Sequence, residues 1–398
     1  MRILLVHNSY RSGSPGGEDK AFQAERDALN AAGHDVVVYS RSNDEFFCQD
    51  LSQKLHAASS MLFPRVVGRE ISKVIDTFDP QVVHVHNVFP LIGVAGYMAA
   101  SRRAIPVFQT LHNYRWSCTA ATHFYQNSVC NDCAPQRFRA AISKRCYRDS
   151  AVASWIASKF NQRVWRAWQD PRSVYRFVAL TEFMARRLIN AGIAPTRVTV
   201  KPNGVRLAAN YSSVPKDSAR REPFVVFSGR LSSEKGLMTL VDAWRRLPNI
   251  PLKIVGAGPL FEPLSRLVAR EGLPIELLGH LRADVAQRVV ARASLQVVPS
   301  EWFEGMPLVV LEAWAVGTPV LASRIGGLAE MITDGLNGRH FRPGDPVDLA
   351  DKVQALMSDL SQCERLTIAG RKAIETRHSI AETVKALTSM YRTAIRCD

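Results

Sequence analysis

The chain lacks any long hydrophobic run. Nothing in it approaches the roughly 20 apolar residues that a membrane-spanning helix requires, so no spanning helix is expected. The N-terminal stretch MRILLVHNSY ends its apolar run at His7. That is too short for a signal peptide and reads as a first strand, which leads us to expect a cytoplasmic protein. Cysteine is scarce, with 7 in 398 residues, too few for a disulfide-built scaffold. Acidic residues are also in deficit, 36 Asp and Glu against 51 Lys and Arg, for a net charge of +15. What is present is ordinary for a folded protein: 46% hydrophobic and 22% charged residues, which excludes a disordered chain. The length allows two or three domains.

The basic excess is uneven. Residues 1–205 carry 26 basic and 15 acidic side chains, and the remainder carries 25 and 21. Residues 137–176 alone hold ten basic and two acidic residues together with Trp155, Trp165 and Trp168. Such a block suits nucleic acid, an anionic lipid surface or a phosphorylated substrate. No recognisable nucleic-acid-binding module accompanies it, so we expect no nucleic-acid partner. Basic residues with tryptophan on a helix favour a membrane interface.

The most informative stretch is 299–327, PSEWFEGMPLVVLEAWAVGTPVLASRIGG. Residues 295–298 read as a buried strand, 306–316 as a helix closed by Gly317, and 320–322 as the next strand. This is half of a doubly wound sheet. Glu304 sits at the helix mouth, and Glu312 lies inside LVVLEAWAV among apolar neighbours. A carboxylate there needs hydrogen-bond donors, and the vicinal hydroxyls of a ribose supply two. Free backbone N–H groups at about residues 305–308 suit a phosphate. Two acids and free amides describe a nucleotide-sugar site.

Glu-x7-Glu within GMPLVVLEAWAVGTPV resembles the signature of retaining glycosyltransferases of family 4. The chain departs from the common EGFG of that family by reading EGMP, with Pro307 removing one amide. The resemblance implies a GT-B fold: α/β, with two Rossmann-like doubly wound domains facing a cleft. It places an acceptor-binding domain at 1–205 and a nucleotide-sugar domain at 206–379. A C-terminal helix, 380–398, would cross back onto the first domain. Transfer would be from a UDP- or GDP-linked sugar, with retention and without a catalytic cofactor or metal.

The rest of the chain fits that outline. Residues 3–6 and 35–39 read as strands around a helix at 21–31. Gly16, Gly17 and Glu18 occupy the place of the family's acceptor-side loop. Residues 45–78 read as mostly helical. The strands at 82–86 and 107–111 deliver His86, Asn87, His112 and Asn113 to their C-terminal ends, where ligands bind in open parallel sheets. By the resemblance, His112 lies beside the transferred sugar and shares the catalytic role with Glu304. Residues 151–172 read as a helix, 174–180 and 198–200 as strands, 181–192 as a helix with its closing Gly192, and 206–222 as a polar linker.

The second half starts with FVVFSGRLSSEKG. A strand at 224–228 leads into a loop bearing Arg230 and Lys235, then a helix at 237–247. GR-x4-KG resembles the family's diphosphate-binding loop, and fixed positive charge suits a departing nucleoside diphosphate. The strand at 252–255 ends in GAGP, whose Gly256 and Gly258 allow close backbone approach. Donor contacts are therefore expected from Arg230, Lys235, Gly256, Gly258, Gly305, Met306, Leu308 and Glu312.

Cys118, Cys130, Cys133 and Cys146 are spaced C-x11-C-x2-C-x12-C. Four thiolates with a central C-x2-C can build a structural zinc site; reduced, partly buried thiols are the other reading. The acceptor is expected to be a glycan or lipid-linked, as in bacterial envelope or exopolysaccharide assembly, with the enzyme peripheral on an anionic inner membrane surface. The rival enzymes on this fold are a phosphorylase and a hydrolysing nucleotide-sugar epimerase. A basic nucleic-acid-binding protein and a non-catalytic scaffold are rivals of other kinds.

Overall fold

Short, nearly continuous apolar runs are the mark of parallel strands buried on both faces, and the chain uses them to build two six-stranded parallel sheets. A computed structural model of the chain describes residues 1–11, 16–46, 65–134, 137–205 and 221–396. The strands are β1 (Arg2–Ser9), β2 (Asp35–Ser42), β3 (Val82–Val85), β4 (Val107–Leu111), β5 (Phe124–Tyr125), β6 (Ser128–Val129), β7 (Arg176–Ala179) and β8 (Val198–Val200), then β9 (Glu222–Ser228), β10 (Leu252–Val255), β11 (Ile275–Gly279), β12 (Ala293–Val298), β13 (Val320–Ser323) and β14 (Arg339–Phe341). Two compact units result: 1–123, 131–204 and 380–398 form the first, and 124–130 with 205–379 form the second. Residues 124–130, expected with the first domain, thus cluster with the second unit.

In the first unit the strand order is β2-β1-β3-β4-β7-β8. Helix α1 (Gly17–Ala31) starts where the Gly16 N–H donates to Asp19 Oδ2 at 3.0 Å. Its Phe22 and Leu29 join Ile3, Leu5, Val82, Phe108 and Val178 in the core. The C-terminal helix, Ile380–Arg396, belongs to this unit and contributes Leu387, Tyr391 and Ala394 to the same core. Those three recur at the spacing of one helical stripe, so the helix can bury that face and leave its charges outside.

In the second unit the order is β11-β10-β9-β12-β13-β14. Trp244, Leu240, Val241 and Leu237 from the helix Leu237–Trp244 pack under β9 and β10 with Leu349, Val353 and Leu356 from the helix Pro346–Ser358. The helix expected over 306–316 spans Leu308–Ala315, because Pro307 takes an extended N-cap conformation with φ −69° and ψ 120°. Of the helix expected over 45–78, Arg65–Phe78 is helical, and 47–64 lie outside the described residues. The linker expected over 206–222 lies outside them up to residue 220, and β9 already includes Glu222.

Candidate active site

In a doubly wound sheet, ligands collect beyond the C-terminal strand ends where the strand order reverses. In the second unit that point falls between β9 and β12, which are adjacent although far apart in sequence. The loop after β9 carries Arg230 and Lys235, and the loop after β12 carries Glu304. The topology therefore brings together charges that the sequence separates by about 70 positions. Lys235 Nζ lies 2.6 Å from Glu304 Oε1, and Ser300 Oγ donates to the same oxygen at 2.7 Å. Lys235 also stands over the Trp302 ring, 4.9 Å from its centroid. Ser300 was not among the expected site residues. Its place five residues before Gly305, right after an apolar strand, was the available signal.

The loops lock together through backbone contacts that only glycine allows. Gly236 has φ +69°, and a Cβ on it would stand 1.9 Å from Pro299 O. Gly256 has φ +144°, and its Cβ would stand 1.8 Å from Gly229 O. The loop of Gly258 joins them, since the Leu231 N–H donates to Ala257 O at 2.9 Å. Glu301 N–H donates to Glu234 O at 3.0 Å and Gly327 N–H to Glu304 O at 2.9 Å. Gly305 and Met306 are buried and Leu308 is half-buried at the start of its helix, where no side chain caps the first N–H groups. Glu312 lies half-buried in the second turn. Arg230 is exposed at the end of β9.

In the first unit the strand order reverses between β1 and β3. Asn8 and Asn87 clamp that point: Asn8 N–H donates to Asn87 O and Asn87 Nδ2 to Asn8 O, both at 2.8 Å. His86, at the end of β3, and His112, after β4, meet with Nδ1 and Nε2 2.9 Å apart and rings stacked at 5.2 Å. Burial pushes the His86 pKa below the ordinary imidazole value and the His112 pKa well below it. Glu18 reaches the same strand end, accepting from Tyr10 OH at 3.2 Å and Asn113 Nδ2 at 3.3 Å. Burial raises its pKa. Gly16 and Gly17 precede it at the start of α1. A pocket open to solvent lies here, lined by Glu18, His86, His112, Arg115, Trp116 and Trp168 among others.

The zinc site expected from the four cysteines is not shown. Among the described residues, the side chains that gather as three metal-capable groups are Glu25, His84 and His86, and Cys118, Cys130, Cys133 and Cys146 form no such group. Cys133 packs instead with Phe138 and Ala141, with Cys146 against that cluster, and Cys118 Sγ accepts the His123 N–H at 3.3 Å. The tryptophan-rich block also divides. Trp168 is only 4% exposed, and Trp165 stacks on Trp116 at 6.1 Å. Trp155 alone of the three is turned outward, 50% exposed.

Comparison with known proteins adds independent findings. Residues 23–209 match the family described as Glycosyltransferase Family 4, and residues 213–373 match Glycosyl transferases group 1. The chain is 26% identical over 433 aligned positions to a glycogen synthase of Mycobacterium tuberculosis, covering 100% of this chain and 95% of that one. It is 34% identical over 177 residues to a sulfoquinovosyl transferase of Arabidopsis thaliana, a match spanning 44% of this chain and 34% of that relative. A crystal structure of Anabaena HepE in complex with UDP-glucose superposes with a TM-score of 0.68 at 20% identity, over 99% of this chain and 100% of that one. Among the described residues, no helix is long and apolar enough to cross a membrane.

Proposed function

From the premise that this chain belongs to the group 1 glycosyltransferases of family 4, a transferase with the GT-B fold, we propose that it moves a sugar from a nucleoside-diphosphate sugar to an acceptor held by its first unit, with retention. The observation that carries this reading is the meeting of the Arg230–Lys235 loop with Glu304 at the switch point of the second sheet. Lys235 has donors to spare beyond its bond to Glu304, and with Arg230 it supplies the counter-charge that a departing diphosphate requires. The uncapped start of the Leu308–Ala315 helix offers amides to a phosphate, and Glu312 accepts from the two ribose hydroxyls. Glu304, held by Lys235 and Ser300, orients sugar hydroxyls. His112, neutral through burial, faces the reacting sugar. Metal is not required, because the basic pair does what a divalent ion does elsewhere.

For the acceptor, the pocket beside Glu18 and His112 is the supporting feature, with Gly16 and Gly17 framing the approach. A lipid-linked acceptor at an anionic membrane surface, as in envelope polysaccharide assembly, accords with the outer face of the helix Ala151–Gln169. There Val152, Trp155, Lys159, Arg163 and Arg166 are all exposed at spacings of three and four, so they form one stripe.

A thermal-shift panel of UDP- and GDP-sugars tests the donor reading. One donor is expected to raise the unfolding temperature, since a ligand that binds only the native state stabilises it. Glu312→Gln should weaken that donor's nucleotide by about 1.5–3 kcal/mol, the worth of hydrogen bonds to a charged group. No shift with any donor, or phosphate-dependent cleavage without acceptor, sinks the proposal in favour of the phosphorylase reading.

A further inference from the structure

Behind His112 the first unit holds a line of buried ionisable groups. Glu25, on α1, is 4% exposed, and Lys201, the residue after β8, is 3% exposed. Lys201 Nζ lies 2.7 Å from Glu25 Oε2. The other carboxylate oxygen, Oε1, lies 3.2 Å from His86 Nε2 and 3.4 Å from His84 Nδ1. His84 is otherwise tied to Tyr391 OH at 2.5 Å and Thr110 Oγ1 at 2.7 Å. The 3.2 Å approach is off line, so neither Glu25 Oε1 nor His86 Nε2 has an aligned hydrogen-bond partner. A metal ion does not suit this cluster, because the Lys201 ammonium already neutralises Glu25 and would repel a second cation.

We infer that Glu25 and His86 are positioning residues which fix the tautomer of His112, with its proton on Nε2 and its lone pair on Nδ1. The inference rests on the transfer reading above for what His112 then does. Burial keeps the His84, His86 and His112 imidazoles neutral. Burial opposes the charge of Glu25, but Lys201 and His86 outweigh it and hold its pKa well below the carboxylate range. A neutral imidazole has one N–H and one lone pair. The Glu25 carboxylate only accepts, so a lone pair on His86 Nε2 would face another lone pair at 3.2 Å. The proton of His86 therefore sits on Nε2, toward Glu25, which leaves His86 Nδ1 as an acceptor. Across the 2.9 Å contact, His112 must then donate from Nε2. Its remaining nitrogen accepts, so it takes a hydroxyl of the substrate and repels a phosphate oxygen.

The test is the ring-nitrogen NMR spectrum of the full chain labelled with 15N-histidine, with His112 assigned by its loss in His112→Gln. We expect Nε2 of His112 to carry the proton at neutral pH. A proton on Nδ1, or a charged ring, overturns the inference, and either result is independent of whether sugar transfer is found. The double variant Glu25→Gln/Lys201→Met removes both buried charges together, so that no ion is stranded. In it the His112 tautomers should mix, and kcat should fall about tenfold with donor KM held, the loss expected when one catalytic group is misoriented. A folded double variant with an unchanged tautomer and kcat also overturns it. Should the wild-type tautomer be as inferred while His112→Gln transfers sugar normally, the positioning chain stands and the role assigned to His112 in transfer fails.

Discussion

The two units place their charges in opposite ways. In the second, Arg230 is exposed and Lys235 partly so, with a side-chain accessibility of 22%, on loops whose shape is set by glycine. In the first, Glu25, His84, His86 and Lys201 are buried, and His86 lines the pocket together with His112 and Glu18. A surface ion pair adds little to stability, which accords with the proposed role of Arg230 and Lys235 in holding a donor. Sealed charges must be matched with one another, since an unmatched one is costly to keep. The same residue types therefore answer to different demands, and substitutions should separate them.

The sharpest contrast is between two lysines. Lys201→Ala strands the Glu25 carboxylate in the core and should destabilise the first unit by about 3–5 kcal/mol, the cost of breaking a buried pair, measured by urea unfolding. A loss under about 1 kcal/mol, the range of a surface pair, would erase the distinction. Lys235→Ala leaves the buried Glu304 its Ser300 hydroxyl, so it should cost less in unfolding than Lys201→Ala, yet weaken donor use by roughly 2–5 kcal/mol, as should Arg230→Ala, because a bound diphosphate loses a charged partner. Activity within about twofold of the parent chain would remove the donor assignment.

Acid sharpens the comparison by a different route. The pKa values of His84, His86 and His112 are lowered in the folded chain, whereas unfolded imidazoles bind a proton near pH 6.5. Below about pH 6.5 the unfolded state thus binds more protons, and stability falls with pH. The slope is at most about 1.4 kcal/mol per pH unit for each histidine. Glu25, whose pKa is also lowered, adds to the loss only below its unfolded value of 4.5. Hydrogen exchange read by peptide between pH 7.5 and 5 should show protection lost first in β1, β3 and β4. Equal loss in β9 and β12 would break the contrast.

The smallest effect expected is at the surface stripe. Replacing Lys159, Arg163 and Arg166 with serine should cost about 1 kcal/mol of anionic-liposome binding per residue, with folding intact. Flotation that is insensitive to these changes, or absent at low salt, returns the block to a solvated face and leaves a soluble acceptor.

The residues of the proposed donor half were legible in the sequence because their pattern is local. GR-x4-KG and Glu-x7-Glu are each written within one loop and one helix, and the strands on either side carry apolar runs that identify themselves. The buried half was not read from the sequence, although it left a trace. Glu25 lies three residues after Phe22 and four before Leu29, on the apolar face of its helix, which signals a buried acid but not its partner. That partner is 176 positions away, and no spacing rule spans such a distance.

Residue order by itself determined the two parallel sheets, the stripe on the C-terminal helix and the positions of the strand ends, because backbone hydrogen bonding and apolar periodicity act over a few residues. Tertiary structure alone decided which strand ends are neighbours. It set Lys235 against Glu304, Lys201 against Glu25 and His86 against His112. It also drew Trp165 and Trp168 inward while leaving Trp155 outside, and sent Cys133 into an apolar cluster. These outcomes depend on burial and on low-dielectric pairing of charges, which exist only once distant segments have closed over one another.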